Sequence, residues 1–255
     1  MKILILAAGY GTRLYPLIVD TPKALLPIAQ KPLVTHTLEK LKEIRDIKEI
    51  IAVTNDKFYP HFTDWAQQNK DFPAPIAVVN DGTTTPENRL GSVGDIDFVL
   101  RNYPVQDDLL IVGGDNVFDF DLKTYVAFAL AHKPSVTIGL YDIGQKQDAT
   151  QFGVVEISDD QKIFSFEEKP AHPKSSLIAM CFYFLPQNTL EFISHYIEES
   201  EKTDKAGDYI RWLVKNKEVY GFRFQGKWYD IGSIESYHEA EREFLIKKGP
   251  KSRSS

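Results

Sequence analysis

The sequence predicts an α/β fold: a mostly parallel, doubly wound, Rossmann-like sheet, mixed in its second half, with helices on both faces. Three observations predict it. Short apolar runs alternate with amphipathic stretches through the first half of the 255 residues, the pattern of right-handed strand–helix–strand crossovers. The first apolar run flows directly into a two-glycine loop, as a strand does where an open sheet meets a ligand. From about residue 136, strand-like runs follow one another at hairpin-like spacing, which adds an antiparallel part.

Taken in order, the apolar runs at 3–6, 49–54, 76–79 and 109–112 predict strands. The amphipathic stretches at 33–44, 58–69, 93–101 and 121–131 predict the helices between and after them. In the second half, 136–141, 153–157, 163–166, 177–185 and 219–224 read as strands. Helices are predicted at 189–199 and 209–215. A short apolar strand precedes Asp230, and a last helix from 233 to about 247 is capped by Ser233 and packed through Ile234, Tyr237 and Phe244. No internal repeat, low-complexity linker or domain-sized break in composition divides the chain, so residues 1–248 are expected to form a single domain with a disordered tail at 249–255.

Composition excludes several classes. Hydrophobic residues at 43% and aromatics at 12% suffice for a sizeable core, and a net charge of −6 without a basic stripe argues against nucleic acid. No apolar run approaches the ~20 residues that a membrane span needs. The opening MKILILAAG mimics a signal peptide, but its apolar part is short and enters the glycine loop, so it is expected to be the first strand. The single cysteine, Cys181, lies in an apolar segment and is expected to be inert, which fits a reducing cytoplasm.

The stretch LAAGYGTRLYPLIVDTPKALLPIAQK at 6–31 carries most of the functional signal. Glycines let backbone N–H groups approach an anion closely. Arg13 supplies a planar fork suited to phosphate oxygens, and Lys23 a compact charge; the segment from Gly9 to Lys31 is locally +2 in an acidic protein. The dinucleotide fingerprint does not fit, because Leu14 stands where a third glycine belongs and no acid follows at the required distance. A Walker loop is absent too. The stretch therefore suits a polyphosphate of another kind.

Ligands of open sheets bind beyond the carboxyl ends of the strands. The run at 109–112 ends in Gly113-Gly114-Asp115-Asn116, which puts Asp115 on the rim that carries the glycine loop. A carboxylate facing a polyphosphate suggests Mg²⁺, which takes one or two carboxylates plus substrate phosphates. Asp230, between a strand end and a helix start, can project into the same cleft. Glu168 and Lys169, in a turn before Pro170, suit sugar hydroxyls and a second phosphate, and Phe152-Gly153 leaves room for a flat ring. The six histidines show no metal-ligand spacing, and no serine or cysteine nucleophile motif is present. Nucleotide transfer to a phosphomonoester needs neither, since that acceptor, with a second pKa of about 6, is already largely dianionic.

With these residues in view, the chain resembles the sugar-1-phosphate nucleotidylyltransferases, especially the glucose-1-phosphate thymidylyltransferases and uridylyltransferases. The resemblance covers nearly the whole chain. It rests on LAAGYGTRL with PKALLPI, LGSVGDI at 90–96, GGDN at 113–116, FGVVE at 152–156, FEEKP at 166–170 and WYDIGSIESYHEA at 228–240. It implies the nucleotide-diphospho-sugar transferase fold, with 1–135 mainly a nucleotide half and 136–248 mainly a sugar-phosphate half. It also implies that Leu6, Ala8, Gly9, Gly11, Thr12 and Arg13, with Asn88, Gly91 and Ser92, hold the nucleotide. Arg13, Lys23 and Asp115 would be catalytic, and Lys23 would neutralise the α-phosphate and leaving pyrophosphate. Asp115 and Asp230 would bind Mg²⁺, while Asn116, Gly153, Glu168 and Lys169 would contact the sugar phosphate. The implied reaction joins a nucleoside triphosphate, dTTP or UTP, to glucose 1-phosphate and releases pyrophosphate, in a cytoplasmic homodimer or homotetramer.

The segment NDGTTTPENRLGSVGD departs from the pattern. It lacks the glutamine-bearing sequence of thymidylyltransferases and carries Asn88, Arg89 and Asp95, which leaves T, U, C and G open as the base. It also resembles phosphocholine-type cytidylyltransferases, which gives an alcohol phosphate as the alternative acceptor; a non-catalytic nucleotide-sugar-binding subunit is the reading from another class. The chain stops soon after the Asp230 helix, so neither the left-handed β-helix of bifunctional relatives nor the longer tail of some allosteric tetramers is expected.

Overall fold

The computed structural model describes residues 1–200 and 204–247; the expected tail at 249–255 lies outside them. The parallel core consists of β1 (Lys2–Leu6), β4 (Glu49–Thr54), β5 (Ile76–Asn80) and β6 (Leu109–Gly113). Strand β1 lies between β4 and β6, with Leu6 level with Val53 on one side and Gly113 on the other. Two short strands, β2 (Pro27–Ile28) and β3 (Lys31–Pro32), form a small antiparallel hairpin beside this core.

The second half adds β8 (Val136–Asp142), β9 (Gly153–Ile157), β10 (Ile163–Glu168), β11 (Leu177–Leu185) and β12 (Val219–Phe224). Among the described residues these nine strands make one mixed sheet. Strand β11 joins the halves. It runs antiparallel to β8 from Leu177 to Phe184, so β6 and β9, which pair with the same residues, share its other edge. Strand β6 takes 182–185 and β9 takes Ile178, which leaves Ala179, Met180 and Cys181 without a ladder partner on that edge among the described residues.

Alternation along the parallel strands explains the two helical layers, because successive side chains point to opposite faces. Ile3, Ile5, Ile50, Ala52, Leu110 and Val112 face one core with α1 (Leu33–Leu41), α2 (Tyr59–Gln68) and α4 (Leu122–Ala131). Leu4, Ile51, Val53, Leu109 and Ile111 face the other with α3 (Gly91–Asn102), α5 (Glu191–Ser200) and α6 (Ala206–Asn216). A third cluster, built on Leu14, Ile28, Val117 and Ile231, seats α7 (Ile234–Lys247) beneath the glycine loop through Tyr237 and Ala240. Helix α1 stops at Leu41 rather than continuing to 44, because the amides of Glu43 and Ile44 reach back only three residues and wind the chain into a tight turn.

On the first face, fully buried Tyr125 sends its hydroxyl toward the carbonyls of Thr137 at 2.9 Å and Phe182 at 3.0 Å, tying α4 to two strands. Tyr125→Phe removes the one hydroxyl proton that the two carbonyls share and is expected to cost about 1–2 kcal/mol. Calorimetry should show a melting temperature lower by about 3–6 °C; an unchanged value would show that the hydroxyl contributes nothing.

Candidate active site

At the carboxyl ends of β1, β5 and β6 lies a cleft of about 450 Å³ whose far wall comes from β9, β10 and α6. Its floor begins where β1 ends. Ala7 N–H donates to the Val53 carbonyl at 2.9 Å, and the buried Asn55 side chain donates to the Ala8 carbonyl at 2.9 Å, so the chain entering the glycine loop is held by the end of β4. Gly114 N–H donates to the Leu6 carbonyl at 2.9 Å, and a Cβ on Gly114 would stand only 2.9 Å from that oxygen. Glycine is needed there so that the loop after β6 can lie directly against the loop after β1.

This contact delivers Asp115. Lys23, in a 3₁₀ turn spanning Lys23–Leu25, places its ammonium 2.6 Å from Asp115 Oδ2. Asn116 donates from Nδ2 to Asp115 Oδ1 at 3.1 Å, and Trp228 Nε1 donates to Asn116 Oδ1 at 2.7 Å, which fixes the amide. The second acid arrives on the short strand expected before it, through a pairing that the sequence pattern did not reveal. Strand β7 (Asn116–Phe118) pairs antiparallel with β13 (Trp228–Asp230), in register so that Asp230 lies opposite Asn116. Ile231 N–H then donates to the Asp115 carbonyl at 3.1 Å. Asp230 ends β13 rather than following it, and the two acids, distant in sequence, occupy one corner of the cleft.

Electrostatics follow from that placement. Burial pushes the Asp230 carboxyl up to about 6, the Asp115 charge adds to the rise, and Lys23, Arg13 and Lys169 oppose it. Three cations that the sequence singled out therefore act on this corner. Burial also raises the Glu168 carboxyl and pushes the Cys181 thiol up to about 12, so the cysteine on the cleft wall stays protonated.

Of the residues singled out in the sequence, Leu6, Ala8, Gly9, Gly91, Ser92, Asp115, Asn116, Gly153, Glu168 and Asp230 line the cleft. Lys23 reaches it through Asp115. Gly11, Thr12 and Arg13 lie outside the wall: Arg13 is exposed in the 3₁₀ turn Thr12–Leu14 that follows Gly11. Lys169 is exposed at the end of β10, its N–H on the Phe152 carbonyl at 3.0 Å. Asn88 turns inward on its own loop, accepting from Thr84 N–H at 3.2 Å and Thr85 N–H at 3.0 Å. Sequence reasoning missed Asp81 and Trp228 and did not place Asp95 in the site, although all three line the cleft. A signal existed for Asp81, since an acid beside glycine after a strand is what drew attention to Asp115.

Two carboxylates, backbone carbonyls and room for phosphate oxygens make an all-oxygen donor set suited to Mg²⁺ rather than to a softer metal. Crowding two like charges in a partly buried corner also favours a divalent cation there. Among the described residues no group of three or more His, Cys, Asp or Glu side chains gathers as a metal site, this corner included. No helix among them is long and apolar enough to cross a membrane.

The nucleotidyl transferase family model matches residues 2–246. The chain is 29% identical over 248 residues to the bifunctional protein GlmU of Methanocaldococcus jannaschii, covering 97% of this chain and 55% of that protein, about half its length. A Sulfolobus acidocaldarius protein assigned as a mannose-1-phosphate guanyltransferase is 29% identical over 254 residues, with 98% of this chain and 65% of that protein covered. Among solved structures, a Bacillus anthracis protein assigned as a glucose-1-phosphate thymidylyltransferase, in complex with a sucrose, superposes with a TM-score of 0.83. It is 26% identical, with 96% of this chain and 95% of that one covered. A family match over nearly the whole length, joined to a shared fold, places this chain in the nucleotidyl transferase family.

Proposed function

We propose that the cleft transfers a nucleoside monophosphate from a nucleoside triphosphate to a sugar 1-phosphate, with glucose 1-phosphate as the acceptor, and releases pyrophosphate. The convergence of Lys23, Asp115 and Asp230 at the mouth of one cleft carries this proposal. Residues 1–135 would hold the triphosphate and 136–248 the sugar phosphate, in a cytoplasmic enzyme. Leu6, Ala8, Gly9 and Gly11 offer backbone to the nucleotide, with Gly91 and Ser92 opposite. Thr12 and Arg13 receive the outer phosphates at the rim.

The sugar 1-phosphate arrives as a dianion and needs no general base, so the work is orientation and charge neutralisation. Asn116, Gly153, Glu168 and Lys169 orient the acceptor for in-line attack on the α-phosphorus. Lys23 exchanges its contact with Asp115 for the α-phosphate and the departing pyrophosphate. Asp115 and Asp230 would hold Mg²⁺, which supplies Lewis-acid neutralisation of the triphosphate when bound. Pyrophosphate release should be assayed over GTP, ATP, CTP, UTP and dTTP against hexose 1-phosphates and phosphocholine. Mg²⁺-dependent turnover with a hexose 1-phosphate is expected; turnover with phosphocholine alone would overturn the acceptor.

A further inference from the structure

Arg89 and Asp204 both line the cleft, and neither belongs to the machinery above. They come from different sides of it, Arg89 from the loop after β5 and Asp204 from the residues leading into α6. Arg89 Nε donates to Asp204 Oδ1 and Nη2 to Oδ2, both at 3.2 Å, the two-point fork that gives arginine–carboxylate pairs their direction. Nη1 donates to the Pro86 carbonyl at 3.0 Å, which ties the guanidinium to its own loop as well. Behind the ion pair, N–H and Oγ of Ser92 both donate to the Asp204 carbonyl at 3.3 Å. Gly91 has φ of +79°, and a Cβ there would stand 2.4 Å from Asp204 Cα, so the two backbones rest directly on one another.

Asp204 passes this constraint to the acceptor side. Three residues on, in the first turn of α6, a Cβ on Gly207 would stand 2.0 Å from Glu168 Oε2 and 2.4 Å from its Cδ. The Glu168 carboxyl therefore lies against the start of α6, within reach of the charges on Asp208, Arg211 and Lys205. The entry to α6 is thus held at Asp204 by the start of α3 and supports Glu168 at Gly207. Both side chains of the ion pair are about half exposed, so the clasp is open to water and screened by salt, unlike the packed core around it.

We propose that Arg89 and Asp204 are positioning residues: their clasp fixes the start of α6 against the start of α3, and α6 in turn fixes Glu168 for the acceptor. The proposal rests on the acceptor role given to Glu168 above.

Two measurements on the full chain test it. Hydrogen exchange at the Ser92 amide, whose partner is the Asp204 carbonyl, reads the clasp without any ligand. Arg89→Ala and Asp204→Ala are each expected to speed that exchange about threefold or more, with the amides of β6 unchanged. Steady-state kinetics then vary glucose 1-phosphate at saturating Mg²⁺–UTP or Mg²⁺–dTTP. Each variant is expected to raise the acceptor KM about fivefold with kcat within about twofold. The double variant should match the singles, because both remove one interaction, and Arg89→Lys should recover part of the loss. Gly207→Ala crowds the Glu168 carboxyl directly and is expected to raise the acceptor KM with Ser92 exchange unchanged. Additive effects in the double variant, or tighter nucleotide binding in Asp204→Ala as a freed phosphate-binding arginine would give, overturn the proposal. A protected Ser92 amide that both variants expose, in a protein without turnover on any acceptor, would sink the transfer reaction and leave the clasp standing. Wild-type turnover with Ser92 exchange and acceptor KM unmoved in the variants would do the reverse.

Discussion

Asp115→Asn is expected to lower turnover about 10³-fold, because an amide cannot replace one of two carboxylates where triphosphate charge must be neutralised. The substitution keeps the shape of the side chain. Its Oδ1 can still accept from Asn116, and the contact with Lys23 that it weakens lies in a partly exposed corner. Ion pairs of that kind contribute about 0–1 kcal/mol to stability. The melting temperature should therefore stay within a few degrees of wild type. Steady-state kinetics with the preferred substrate pair gives the answer, and near-normal turnover in a folded variant would remove Asp115 from the chemistry.

The second large effect concerns stability against pH. Burial, reinforced by the charge of Asp81, pushes the Asp95 carboxyl up to about 8, against about 3.9 in an unfolded chain. Between those values the folded state holds a proton that the unfolded state has released. Stability from this group is therefore lost as pH rises through the window, and the loss levels off above pH 8. At about 1.4 kcal/mol per unit, the full window amounts to a loss on the order of 5 kcal/mol. Asp95→Asn removes the titration, so the variant should be close to wild type at pH 5 and clearly more stable at pH 8.5. Thermal melts at both pH values decide it, and parallel curves would refute the assignment.

The parallel half of the fold was legible because its strands are buried on both faces and read as plain apolar runs, as in the IIAV of β4 and the LLIV of β6. Glycine beside an acid after such a run drew attention to Asp115, which lines the cleft. Harder to see was the three-residue pairing of β7 with β13, which follows no periodicity and depends on contacts more than 100 positions apart. It alone sets Asp230 beside Asn116. Asn88 looked like a ligand residue in a polar loop, but an asparagine in such a loop can equally serve its own backbone, as this one does. Asp95 was noticed as unusual. Its inward position in α3, between buried Val93, Ile96 and Val99, was the clue that it does more than solvate a helix.

Both lips of the cleft hang from one edge of β11: β6 joins at Phe182 and leads to Asp115, while β9 joins at Ile178 and begins at Gly153. Those attachment points are four positions apart, a span of about 13 Å at roughly 3.3 Å per residue. A continuous backbone thus sets the spacing between the lip that carries Asp115 and the lip that begins at Gly153. Under the proposed function, that spacing bounds the length of acceptor before any side chain is chosen, and a change of acceptor would call for new side chains on a fixed frame rather than a wider opening.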